Sequence, residues 1–105
     1  MAWLYLLIAA AFEIGWPLGL KLAQSPGRAL AGFSFAALSI TLSGLFLYLA
    51  QRSIPIGTAY AVWTGIGAAG TFLVGIALFA DPATFGRIAG VTLIIAGVAT
   101  LKLSS

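Results

Sequence analysis

Four apolar runs, each about as long as a bilayer is thick and separated by short polar turns, decide what this chain can fold into. The runs cover about 2–22, 30–50, 56–80 and 83–103. Ala23-Gln24-Ser25-Pro26-Gly27-Arg28 closes the first, and Pro-Gly is a strong turn signal. Gln51-Arg52-Ser53 closes the second, and Pro55 precedes the third. Asp81-Pro82 reads as an N-cap followed by proline at the first helical position of the fourth. Charged residues make up 7% of the chain, against about 25% in a soluble domain. Such a chain cannot cover a water-facing surface. The expectation is an all-α integral membrane protein, with residues 1–105 forming a single four-helix transmembrane domain. Trp3 and Tyr5 stand where a signal peptide would carry basic residues, so the first run reads as a span and not as a cleaved leader.

The composition also excludes chemistry. There is no Cys and no His, which removes thiolate catalysis, disulfides and most zinc or haem sites. Glu13 and Asp81 are the only acids, which argues against a carboxylate-pair enzyme within one chain, and no cofactor is expected. The net charge of +3 comes from residues at the ends of the runs, with no basic patch for nucleic acid.

Glu13 is the residue that points to function. It is the one charge between Ala2 and Leu20. At 1.5 Å rise per residue it lies roughly 12 Å from Lys21, where the run ends, which places it near the middle of the hydrocarbon. An acid there costs on the order of 3 kcal/mol to insert, and such residues face a bundle interior or a wet cavity. Ala9, Ala10 and Trp16 share its helix face; the two alanines leave room beside the carboxylate, and Trp16 offers a π-face one turn away. Pro17 removes an N–H from the helix ladder and is expected to bend the helix. The second run carries Ser34, Ser39, Thr41 and Ser43, of which Ser43 has the depth to meet the carboxylate. In the third, Tyr60, Trp63 and Gly67 fall on one face, bringing donors and cation-attracting rings. Gly65, Gly67 and Gly70 permit a bend or a close approach there. Gly90 and Gly97 in the fourth run are seven apart, as a helix-packing seam requires. A carboxylate and aromatic rings at mid-depth, with no opposing Lys or Arg, suggest a site for a cation.

The basic residues divide almost evenly between the two sides: Arg52 and Lys102 on one, Lys21, Arg28 and Arg87 on the other. With almost no positive-inside bias, the expectation is insertion in both orientations and pairing of two opposed copies.

Over nearly its whole length the chain resembles the small multidrug resistance family of proton-coupled exporters. The matching stretches are the single acid of the first helix, Pro55-Ile56-Gly57-Thr58-Ala59-Tyr60-Ala61-Val62-Trp63-Thr64-Gly65-Ile66-Gly67, and Gly90-Val91-Thr92-Leu93-Ile94-Ile95-Ala96-Gly97-Val98. Phe12-Glu13-Ile14-Gly15-Trp16, Ser43 and Thr58 are similar to its guanidinium-exporting subtype. The resemblance implies antiparallel, dual-topology homodimers in a prokaryotic inner membrane. It implies that Glu13 of both subunits binds protons and a guanidinium-type cation in competition, and that Ser43 and Trp63 hydrogen-bond and orient it. Trp16 and Tyr60 would line the pocket, Gly65 and Gly67 would form a bend, and Gly90 and Gly97 would make the dimer contact. Ala10, where the subtype often has Gly, and Pro17 depart from the pattern. Two other readings stay open: export of quaternary ammonium compounds by the same family, and a membrane accessory subunit that transports nothing.

Overall fold

A computed structural model describes residues 1–104 of the chain. Four α-helices run through it: α1 (Ala2–Ala23), α2 (Ala29–Gln51), α3 (Ile56–Phe79) and α4 (Phe85–Leu103). All four are long and apolar enough to cross a membrane. The shortest has 19 residues, about 28 Å at helical rise, close to the thickness of the hydrocarbon. The turn between α1 and α2 places Gly27 at φ 75°, where a side chain would be strained, and Arg28 N–H donates to Ser25 O at 3.1 Å.

The fourth helix begins later than Asp81-Pro82 suggests. Asp81 is used to close α3: Ala80 is left-handed at φ 56°, and the Asp81 N–H donates to Gly75 O at 3.1 Å. The N-cap of α4 is Thr84, whose hydroxyl accepts from Arg87 N–H at 3.3 Å. The helix therefore starts at Phe85 rather than residue 83. Thr84, two residues past the Asp81-Pro82 pair, serves as the cap because the Asp81 backbone is already committed to the turn before it.

The helices are laid out as a slab, 45 × 34 × 16 Å between Cα extremes. Helix α1 is central and packs most extensively on α2, then on α3. Helix α4 lies along α3 and buries none of its residues. Small residues set the α1–α2 approach. A Cβ on Gly19 would fall 2.7 Å from Ala36 N and 2.8 Å from Gly32 O, and one on Gly15 would fall 2.8 Å from the Ser39 hydroxyl. Gly15 and Gly19 are thus a Gly-xxx-Gly pair that lets two backbones nearly touch, as helices do where lipid offers no hydrophobic drive to associate.

A buried apolar cluster lies toward the Trp3 end and joins Leu6 of α1, Ala50 of α2, Ile54 of the turn, and Ala59 and Val62 of α3. At that end the Lys102 ammonium sits 4.6 Å from the Trp3 ring centroid. At the opposite end Lys21 lies 6.0 Å from the ring centroid of Phe79. Long basic side chains thus lie over aromatic rings at both ends, as snorkelling residues do at an interface.

Candidate functional site

Glu13 projects from the middle of α1 toward α3. Its arm crosses α3 at Gly67: a Cβ built there would run into Glu13 Cγ and lie 3.2 Å from Glu13 Cβ. One turn further along α1, Trp16 donates its indole N–H to the Glu13 carboxylate. The two side chains line a cleft of about 260 Å³ with Pro17 on the α1 side and Thr64, Gly67, Ala68 and Thr71 on the α3 side. No Lys or Arg lines it, so the carboxylate meets no resident cation there.

Ser43 and Trp63 meet each other rather than the carboxylate. Trp63 Nε1 donates to Ser43 Oγ at 2.7 Å, and Ser43 Oγ donates to the Ala9 carbonyl at 2.7 Å. Ser43 is fully buried. Ala9 is one turn before Glu13, and its carbonyl is the one that the Glu13 amide faces in the helix ladder. This chain of bonds ties α3 to α2 and α2 to α1 at the level of the site. It sets where the α1 backbone stands, and with it the point from which Glu13 departs. Tyr60 is exposed on α3, its ring tilted at 47° to Trp63 with centroids 5.5 Å apart.

The glycines expected to form a bend in α3 or a contact on α4 fall in different surroundings. Helix α3 continues unbroken through Gly65 and Gly67. Gly65 seats α4, since a Cβ there would come within 2.6 Å of Val98. Gly90 and Gly97 lie exposed on α4 with open space above them. Missing from the sequence reading were the α3 lining residues Thr64, Ala68 and Thr71. They follow i, i+4, i+7 spacing with Gly67 between, a stripe of small residues that marks the face opposite Glu13.

The family model described as Small Multidrug Resistance protein matches residues 1–94. The chain belongs to the small multidrug resistance family. Among its relatives, the guanidinium exporter of Yersinia pseudotuberculosis serotype I (strain IP32953) is 44% identical over 105 residues, covering 100% of both chains. Guanidinium exporters of Citrobacter freundii and Salmonella typhimurium are each 42% identical over 106 residues, covering 100% of this chain and 99% of theirs. Membership of this transporter family and four candidate spans make it a multi-pass protein of a bacterial inner membrane.

For a small multidrug resistance protein, the Ser43 link has a measurable consequence. Ser43→Ala leaves the Trp63 indole and the Ala9 carbonyl without a shared partner. A lost buried hydrogen bond costs roughly 1–3 kcal/mol, so cation affinity should fall by about 5- to 100-fold while the protein remains folded. Isothermal titration or a tryptophan fluorescence titration measures this, and unchanged affinity would remove Ser43 from the support of the site.

Proposed function

We propose that this protein is a proton-coupled exporter of guanidinium and small substituted guanidines. It works as an antiparallel, dual-topology homodimer whose access alternates between the two faces of the membrane. Protons and the cation compete for Glu13 of both subunits. The observation that carries this reading is the Glu13 carboxylate set against a cleft with no basic residue, with Trp16 as its donor. The names of the relatives support the choice of cation.

Guanidinium is planar and charged, and its N–H fork matches a carboxylate bidentately. Trp16 can offer its ring face to the flat cation while its indole N–H holds one carboxylate oxygen. In this reading Tyr60 and Trp63 complete the aromatic lining across the dimer. Gly65 and Gly67 give α3 the freedom to flex as access changes, and Gly90 and Gly97 form the α4 seam between subunits. When the cation leaves, a proton takes its place on Glu13; when a proton leaves, the carboxylate is again free for a cation. If the dimer reorients only when loaded, export of the cation is tied to proton entry.

The test is transport by the purified chain in liposomes. A guanidinium gradient should move protons in the opposite direction, and tetrapropylammonium, which has no N–H to offer, should do so far more weakly. The guanidinium concentration giving half-maximal rate should rise as pH falls, while the maximal rate at saturation holds, because protons occupy the same carboxylate. Equal proton movement with both cations would favour the quaternary ammonium reading. No movement with either would favour an accessory subunit.

A further inference from the structure

Beyond the Glu13 cleft, the space between α1 and α3 continues to the end of the bundle. A second cleft, of about 220 Å³, is lined by Lys21, Phe79 and Asp81 at its outer end and by Pro17 and Thr71 at its inner end. Pro17 and Thr71 also line the Glu13 cleft, so the two spaces adjoin. Lys21 lies eight residues from Glu13, about 12 Å along the helix. Where they meet, Pro17 has no N–H to give the Glu13 carbonyl, so the α1 ladder lacks one bond at the junction of the two clefts.

The outer end is built in a particular way. The left-handed turn at Ala80 and the bond from Asp81 N–H to Gly75 O fold the chain back, so that the Asp81 carboxylate lies over Gly75, where any Cβ would meet it. Gly75 thus makes room for the second acid, as Gly67 does for the first. Lys21 holds its ammonium 6.0 Å from the centroid of Phe79. One cation, one anion and one aromatic ring therefore share the mouth of the groove.

We infer that the α1–α3 groove is the aqueous approach to Glu13, and that Lys21 and Asp81 at its mouth control which solutes enter. Lys21 occupies the ring face that an arriving planar cation would take. Asp81 supplies the carboxylate that such a cation can fork onto while it displaces the ammonium. Narrow clefts focus the field of their charges, so each of these side chains changes the local concentration of cations inside the groove. The inference rests on the exporter reading for the identity of the cation, guanidinium, but not for the existence of the approach.

The chain has no cysteine, so Thr71→Cys places a single thiol where the two clefts meet, and Val74→Cys is a second position within the outer one. With full-length protein in liposomes, each thiol should react with a trimethylammonium-bearing methanethiosulfonate and with a neutral one of similar size. At low salt, adding Asp81→Asn should lower the cationic-to-neutral rate ratio by about 2- to 5-fold, and adding Lys21→Gln should raise it by a similar factor. Both changes should shrink near 1 M salt, where the screening length is about 3 Å. Guanidinium in the medium should slow the cationic reagent. Thiols at both positions that resist both reagents would overturn the inference, as would a rate ratio that neither charge variant moves. Absence of transport by the unsubstituted protein would instead overturn the exporter reading, and the labelling ratios would still decide the approach.

Discussion

Glu13→Gln should abolish coupled exchange. The amide keeps the size of the side chain and its place beside Trp16 and Gly67, so the variant should fold and assemble as the parent does. It can neither release a proton nor present a negative charge to a cation. A charge-assisted hydrogen bond contributes about 1.5–3 kcal/mol, and losing a bidentate pair of them lowers cation affinity by more than about 100-fold. Guanidinium-driven proton flux in liposomes should fall to the level of protein-free vesicles. Residual coupled flux would place the shared site elsewhere, and Asp81, the other acid in the chain, would be the next residue to test. Glu13→Asp keeps the charge but shortens the arm that crosses Gly67, so it should retain coupling at reduced affinity.

The second large effect is expected at Gly67. Gly67→Ala puts a methyl group where Glu13 Cγ now lies. Cγ is in the middle of the arm, not at a free end, so the carboxylate must change rotamer or α1 must move away from α3. Overpacking of this kind costs about 1–3 kcal/mol. The half-saturating guanidinium concentration should rise about 10-fold or more, and the melting temperature should fall. The same change made in a Glu13→Ala background should cost much less stability, because the arm it collides with is gone. That coupling separates two roles for the glycine. If its main use is to let α3 flex, Gly67→Ala should slow turnover, leave the half-saturating concentration unchanged, and cost the same stability in both backgrounds.

Much of this architecture can be read from the chain itself, and the reasons differ by element. Runs such as 30–50 declare helices because their length and lack of charge permit nothing else in a bilayer. The Pro26-Gly27 turn is equally plain. The start of α4 is harder to read: Asp81-Pro82 has the form of a cap, but its backbone N–H is spent on Gly75 O, and the cap falls to Thr84. Glu13 and Trp16 are legible because a lone acid and its i+3 neighbour follow from helix geometry. The Ser43 bond to Ala9 is not, since a hydroxyl reaching another helix's carbonyl leaves no spacing pattern in the sequence. Gly65 and Gly67 look alike as glycines in a helix, yet one seats Val98 and the other seats Glu13. Only the neighbours on adjacent helices distinguish them. Gly15 and Gly19, not singled out in the sequence, make the α1–α2 approach, and only the backbone of α2 beside them reveals that use.

Because α4 fully buries no residue within the protomer and packs chiefly on α3, with Lys102 over Trp3 as its link to α1, the proposed pairing of two copies would supply much of what holds it. Amide exchange in α4 should therefore speed up as the protein is diluted into excess lipid, while α1 and α2, locked backbone to backbone, stay protected at every protein-to-lipid ratio.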